Sequence, residues 1–387
     1  MVTYVPVPSP FVRFAGEWVD EALGFAMAWN FFLNMAILVP FEVVAMSIMV
    51  TFWTDTVPIV AIIIPMIALY AFLNIITVRY FGISEFYLSI FKVVLMVGLF
   101  FFTFITMVGG NPLHEAYGFR YWQSPGAFVE HNASGNTGRF LGILSCIYQA
   151  SFSPYIIAMN RLQIHVLPHI VNALIMTSVF SAGNGLLFSA TRVLHGMSLT
   201  GYAPKIFSWC TKSGVPLYSL LFSLSFSLLA FLQLGSSSAE VLVYLVYLIT
   251  CCQLLNYGFT ALTYRHFYAA LKKQGISRDT LPYKGRFQPY MSYIAMGGTL
   301  FMLLAAGYDL FLTGGWDVMW FFLDYGMIGF FILAFIGWKL VFKTRYVRPG
   351  TADISLGGSK EDIDQYESLY VARKPGRVGR LLNKVFE

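Results

Sequence analysis

Residues 23–50 read LGFAMAWNFFLNMAILVPFEVVAMSIMV, a run in which Glu42 is the single charged residue. About twenty consecutive apolar residues suffice for an α-helix to cross the hydrocarbon core of a bilayer. Burying a carboxylate or the amides of Asn30 and Asn34 at that depth is costly, so such residues mark either a function or a hydrogen bond between helices. The stretch predicts a membrane-spanning helix that carries candidate functional residues.

The composition of the whole chain is that of a polytopic membrane protein. Of its 387 residues, 57% are hydrophobic and 11% are charged, less than half the charged fraction of soluble domains. The net charge of +6 lies between apolar blocks, so it indicates topology rather than nucleic-acid binding. The blocks predict an all-α membrane helix bundle with eight spans, at 23–50, 58–78, 86–108, 166–190, 217–234, 241–263, 291–313 and 318–342.

The charge of the connecting segments orients the C-terminal half. Segment 264–290 holds six basic residues against Asp279, and ten more follow from Lys339 onward. Short loops rich in Lys and Arg lie in the cytoplasm. We therefore expect the C-terminus and loops 191–216 and 264–290 to be cytoplasmic, whereas charge alone does not orient the N-terminal half.

A ninth apolar block, residues 140–159, is ambiguous because Gln149 and a Ser-Phe-Ser-Pro sequence interrupt it. The sequon at Asn132 is a glycosylation candidate and favours an outer position for 109–139. Counting the spans from both ends then places both ends of 140–159 outside. We expect a helical stub up to Gln149 and a break near Ser153-Pro154 rather than a ninth span.

Lys92, in the third block, lies seven residues after Glu85, two helical turns along the same face. A desolvated lysine exchanges protons readily, which suggests a coupling role. The alternative is a structural ion pair with Glu42 or Glu85. Two other blocks carry polar residues at helical spacing that could serve function or packing: Thr177, Ser181 and Asn184, and Gln253, Asn256 and Tyr257.

Catalytic and metal-binding signatures are lacking in the sequence. It contains no nucleophile elbow, HExxH or phosphate loop. His165 and His169 have the spacing of two metal ligands, but no third ligand is evident. The four cysteines have no paired spacing. We expect neither an enzyme, nor a metal site, nor a bound cofactor.

Four segments resemble the fungal amino acid permeases of the amino acid–polyamine–organocation superfamily. They are VTYVPVPSPFVRFAGEWVDEALGFAMAWN (2–30), GGNPLHEAYGFRYWQSPGAF (109–128), VLPHIVNALIMTSVFSAGNGLLFSATRVLHGMSLTGYAPKIF (166–207) and LPYKGRFQPY (281–290). The resemblance implies twelve helices, ten of them in two inverted repeats, with cytoplasmic termini. It also implies amino acid import, usually coupled to protons, by alternating access around interrupted first and sixth helices.

The resemblance implies roles for individual residues. The eight predicted spans resemble family helices three to five and eight to twelve, so the fold is expected to be a partial inverted-repeat transporter. Lys92 matches a lysine that replaces a sodium ion in proton-coupled relatives, and Thr177, Ser178 and Ser181 match the facing helix. The substrate-pathway candidates are Asn30, Asn34, Glu42, Asn184, Gln253, Asn256 and Tyr257.

The chain departs from the family pattern at two places. It begins near the end of the family's second helix, and near residues 150–151 the start of the sixth helix passes directly into the approach to the eighth. We expect a permease domain at 1–343, with a seam near 150–151, and a cytoplasmic tail at 344–387. The tail ends in a basic amphipathic run that could meet regulators or anionic lipid.

The sequence leaves three functions open. The first is a proton-coupled amino acid transporter of the plasma membrane, with an amino acid, protons and the lipid bilayer as partners. The second is a truncated, non-transporting homologue or incomplete gene product, retained in the endoplasmic reticulum if misassembled. The third is a membrane sensor or regulator of nutrient uptake.

Overall fold

The structure, a computed structural model, describes residues 1–7, 9–54, 56–76, 78–120, 122–126, 128–130, 134–139, 142, 159, 161–311, 315–358 and 360–362. Over these residues the regular structure is helical, without strands. The principal α-helices are α1 (Pro10–Trp18), α2 (Glu21–Thr51), α3 (Ile59–Ile76), α4 (Val78–Met107), α5 (Leu167–Leu199), α6 (Leu217–Ser225), α7 (Ser238–Lys273), α8 (Tyr290–Ala305) and α9 (Val318–Phe342). The predicted all-α membrane bundle is thereby confirmed.

Seven helical segments in the described part of the chain are long and apolar enough to cross a membrane. They correspond to seven of the eight predicted spans: α2, α3, α4, α5, α6 together with its 3-10 continuation Phe226–Leu234, α7 and α9. Helices α5 and α7 run about nine residues beyond the ends expected from the sequence. Within the extended part of α5 the guanidinium of Arg192 lies 5.1 Å above the ring of Phe188.

The prediction of a continuous span at 291–313 is wrong. Helix α8 ends at Ala305 and a 3-10 turn, Tyr308–Phe311, follows. Between them Gly307 lies against α9, where an added Cβ would come within 2.7 Å of the Tyr325 ring and 2.9 Å of the Asp324 carboxylate. The α-helix therefore stops where the backbone passes closest to its neighbour.

Side-chain caps set the starts of three helices. Asp20 accepts a hydrogen bond from the backbone N–H of Ala22 at the start of α2 (2.9 Å). Ser237 and Glu240 form a reciprocal capping box at the start of α7. Asp317 accepts from the N–H of Trp320 (3.0 Å) and starts α9.

Helix α2 is the centre of the bundle. It contacts α1, α3, α5, α7, α9 and the 3-10 segment Phe226–Leu234. On one side Val43 and Val44 belong to an apolar cluster with Ile63 of α3 and Leu187 of α5. Near its other end Leu23 belongs to a cluster with residues of α7, α8 and α9. Because other helices surround α2, its polar side chains face protein rather than lipid. This position explains why the helix can carry them.

Residues 344–358, most of the described part of the expected tail, pack onto the bundle; we call them the strap. Thr344 donates to the Asp20 carboxylate (2.8 Å) and the N–H of Val347 donates to the carbonyl of Val19 (2.8 Å). The indole N–H of Trp18 donates to the carbonyl of Asp353 (2.8 Å). The strap therefore joins the segment that precedes α2 to the end of α9.

The strap also supplies apolar side chains to a cluster on the same face of the bundle. Ala352, Ile354 and Leu356 are each at most 4% exposed. They pack in one cluster with Trp18 of α1 and Phe267 of α7, whose rings stack at 4.7 Å. Three elements that are far apart in sequence thus share one core at this end of the bundle.

Three expectations lie outside the described residues. The stub, break and seam expected within 140–159 cannot be compared, since only two positions of that block are described. The glycosylation candidate Asn132 and the basic amphipathic run of the tail also lie outside.

Replacing Ile354 by alanine is expected to lower the free energy of unfolding by about 2–5 kcal/mol, because it empties a buried site. The measurement is reversible unfolding of the purified chain in mixed micelles. Ile206→Ala is the matched control, since Ile206 is 55% exposed, and it should change the free energy by less than about 0.5 kcal/mol. Equal effects of the two variants would contradict a packed strap.

Asp20 gives the structure a pH-dependent contact. Burial raises the pKa of Asp20, but hydrogen bonds from Lys339, Thr344 and the Ala22 N–H lower it by more. The pKa therefore lies below its ordinary value, so the contact stabilises the fold above about pH 4, where the unfolded aspartate is ionised, and is lost on further acidification.

We expect Asp20→Asn to lower the melting temperature at pH 7 and to differ less from the parent chain near pH 3. Asp362→Asn is the control, because Asp362 is exposed. Melting curves at both pH values measure the effect. An Asp20→Asn deficit that is equally large at both would show that the carboxylate charge is not responsible.

Candidate functional site

Helix α2 directs its polar side chains to two different places. Asn30 and Asn34 face α7, whereas Glu42, farther along, faces α3 and α5. The polar residues of α2 therefore contribute to two separate sites.

The first site is the α2–α7 amide seam, formed by Asn30, Asn34 and Asn256. The side-chain amide of Asn30 donates to the carbonyl of Cys252 and to the Asn256 side chain, both at 2.9 Å. That of Asn34 donates to the carbonyl of Ile249 (3.2 Å). All three asparagines are at most 7% exposed. These contacts are the interhelical hydrogen bonds expected of asparagine in a membrane bundle.

The amide seam also contains polar atoms that the described residues leave without a partner. They are Oδ1 of Asn30, Oδ1 of Asn34 and Nδ2 of Asn256. A buried amide that lacks one of its hydrogen bonds costs about 1–3 kcal/mol. The amide seam can therefore form further hydrogen bonds with a polar group that enters between α2 and α7.

The second site is the ion-pair site, formed by Glu85 and Lys92 of α4 and Ser181 of α5. The Lys92 ammonium lies 3.3 Å from Glu85 Oε1. Ser181 donates to the same oxygen at 2.5 Å, so one carboxylate joins the two helices. The second oxygen of Glu85 is buried without a partner in the described structure. Both charged side chains are about 70% buried.

Glu42 lies beside the ion-pair site. It is 8% exposed, and it approaches α5 at Gly183, two residues after the Ser181 that bonds Glu85. A glycine, Gly183 of α5, makes room for it: an added Cβ would lie 3.1 Å from Glu42 Cβ and 2.2 Å from the Tyr70 hydroxyl. Two acids and one base are thus collected among α2, α4 and α5.

Asn184 forms a hydrogen bond with Asn74, a residue that the sequence did not single out. Its side-chain oxygen accepts from the amide of Asn74 on α3 (2.8 Å), and Asn74 also donates to the carbonyl of Tyr70 (2.9 Å). Tyr70 and Asn74 are four residues apart in the apolar block 58–78, the same spacing that marked Asn30 and Asn34. That spacing could have identified both.

Four predicted residues do not join these contacts. Thr177 donates to the carbonyl of Leu174 within its own helix (2.7 Å). Ser178 and Gln253 are partly exposed, and Tyr257 is 59% exposed. The structure therefore brings Ser181, but not Thr177, to the ion pair, and brings Asn256, but not Tyr257, to the amide seam.

The described residues contain no group of three side chains arranged to hold a metal ion. Of the two histidines considered as ligands, His169 accepts a hydrogen bond from the Trp53 indole at 2.9 Å. This hydrogen bond gives the His169 ring nitrogen a partner within the protein.

The family model described as Amino acid permease matches the chain at residues 1–153 and 151–348. The two matches together cover most of the chain. They meet inside the ambiguous apolar block, next to the seam expected near 150–151.

Individual relatives align over nearly the full chain. It is 35% identical to General amino acid permease AGP2 of Saccharomyces cerevisiae over 447 residues, covering 96% of this chain and 75% of the relative. It is 29% identical to a Dicarboxylic amino acid permease of the same yeast (95% and 72%) and 26% identical to a Proline-specific permease of Emericella nidulans (97% and 80%). The first alignment is longer than the 387-residue chain, so part of that relative has no counterpart here.

The hydrogen bond between Asn30 and Asn256 can be measured by a double-mutant cycle of alanine variants unfolded in mixed micelles. We expect a coupling energy of about 0.6 kcal/mol, and at most about 1.7, as for other interhelical hydrogen bonds in membranes. The control cycle pairs Asn30 with Asn172, whose amide bonds the carbonyl of Met49 (2.9 Å), and should be additive within about 0.5 kcal/mol. Equal coupling in both cycles would contradict a direct bond.

Proposed function

The chain belongs to the amino acid permease family and to the integral membrane proteins, and its function is amino acid transport across the membrane. On that premise we propose that it is a proton-coupled importer of the plasma membrane. We assign coupling to the ion-pair site with Glu42, and contact with substrate to the amide seam.

The observation that carries the coupling proposal is the charge balance of Glu42, Glu85 and Lys92. With all three ionised the group has a net charge of −1, and a net charge inside a membrane bundle is strongly unfavourable. One added proton makes the group neutral. The group is therefore suited to bind a single proton during each transport cycle.

The geometry supports a link between that proton and helix movement. Glu85 Oε1 bonds both Lys92 of its own helix and Ser181 of α5, so a proton on this carboxylate weakens the hydrogen bond from Ser181 as well as the attraction to the ammonium. The contact between α4 and α5 then differs between the protonated and deprotonated states. A protonation-dependent contact between helices is what alternating access requires of a coupling site.

The amide seam supports the substrate proposal. An α-amino acid offers a carboxylate to hydrogen-bond donors and an ammonium group to acceptors. The seam has one buried donor without a partner, Nδ2 of Asn256, and two such acceptors, Oδ1 of Asn30 and Oδ1 of Asn34. We assign Gln253 and Tyr257, on the same helix as Asn256, to the approach of the side chain.

Uptake of radiolabelled amino acids in a permease-deficient cell tests this proposal. Acidic medium should stimulate uptake by the parent chain. Glu85→Gln should reduce initial uptake by about tenfold or more and remove its pH dependence, because Glu42 and Lys92 alone are neutral together and the group no longer needs a proton. Lys205→Ala is the control, since Lys205 is an exposed cytoplasmic-loop lysine, and should keep both.

Surface labelling must accompany each assay. Uptake that is unaffected by pH in the parent chain would overturn proton coupling but not transport. A parent chain that reaches the surface and transports none of the amino acids would overturn the transport proposal and favour a non-transporting homologue.

A further inference from the structure

The segment LPYKGRFQPY, residues 281–290, has no part in either polar site. It connects α7 to α8 and exposes three aromatic rings: Tyr283 by 71%, Phe287 by 72% and Tyr290 by 71%. Arg286 lies among them and is exposed. Exposed large rings in a connecting loop are costly in water, so their concentration around a cation points to a binding surface.

The loop has a defined shape that leaves this surface outward. The guanidinium of Arg278 donates to the carbonyl of Gly285 (3.3 Å) and lies 5.3 Å above the ring of Tyr268 on α7. Lys284 pairs with Asp279, and this hydrogen bond lowers the pKa of Asp279. Two of the loop's cations thus have partners inside the protein, whereas Arg286 has none among the described residues.

The position of the loop identifies its surroundings. It leaves α7, a membrane span, at Lys273 and enters α8 at Tyr290. The basic residues of 264–290 place this connection on the cytoplasmic side. Phe287 and Tyr290 are within one turn of the start of α8, the end of an apolar helix at which aromatic rings favour the membrane–water interface.

The length of α8 makes an anchor there useful. Its 16 residues extend about 24 Å at 1.5 Å per residue, which is less than the roughly 30 Å of the hydrocarbon core. A short span is accommodated by anchoring side chains at its ends and by local thinning of the bilayer. Aromatic rings and arginine are the residues that hold a helix end at the interface.

We propose that residues 283–290 form a binding surface for an anionic phospholipid of the cytoplasmic leaflet. Arg286 binds the headgroup phosphate, and the rings of Tyr283, Phe287 and Tyr290 insert between headgroup and acyl chain. The lipid anchors the cytoplasmic end of α8. This role is independent of the transport proposal.

The test is trypsin cleavage of the full chain in nanodiscs, either of phosphatidylcholine alone or of phosphatidylcholine mixed with phosphatidylserine. Cleavage after Arg286 should be about fivefold slower with phosphatidylserine, since one basic residue at an anionic surface contributes about 1 kcal/mol. Cleavage after Lys272 and Lys273, exposed at the end of α7, is the internal control and should change less.

A variant with Tyr283, Phe287 and Tyr290 all replaced by serine should lose the protection. The matched control variant is Trp209→Ser, which removes a 51% exposed ring from another cytoplasmic loop and should keep it. Equal cleavage after Arg286 in both lipid mixtures would overturn the proposal and favour a protein partner. Protection that survives in the triple-serine variant would equally overturn it.

Discussion

The interaction on which the structure depends is the hydrogen bonding of polar side chains on α2 to its neighbours. In a bilayer no water is available to satisfy an amide, so each must find a partner in another helix or remain unsatisfied. Asn30 and Asn34 find theirs on α7, which fixes how these two helices face each other. The same contacts leave three amide atoms unpaired. These residues can therefore hold α2 against α7 and still offer hydrogen bonds to a substrate.

The ion-pair site follows the same constraint with charges. A lysine on a bilayer span needs a counter-charge, and Glu85 supplies it from two turns away on the same helix. Ser181 brings α5 to this carboxylate, and Glu42 adds a second acid from α2. The sequence left ion pair and coupling as alternatives. The structure places the pair within a group whose net charge changes on binding one proton, and on that ground we combine the two.

At the end of the bundle where α2 begins and α9 ends, the helices are joined by contacts that hydropathy does not reveal. The strap was expected only to be part of a cytoplasmic tail, and the structure buries Ala352, Ile354 and Leu356 of it against α1 and α7. Its hydrogen bonds to Trp18, Val19 and Asp20 link the two ends of the described chain. Helix α2 begins and α9 ends beside this strap, so a movement of one helix relative to the other must strain or release its contacts.

The sequence by itself determined the approximate limits of most spans and the polar residues worth testing. Hydropathy, charge and helical spacing are local properties, and the tendency of a segment to cross a bilayer depends on the residues of that segment alone. Tertiary structure decided that Asn30 and Glu42, on one helix, serve different sites, that Tyr70 and Asn74 belong with Asn184, and that α8 stops at Ala305. These arrangements depend on which helix lies opposite each residue. A partner on another helix cannot be recognised from the local sequence pattern.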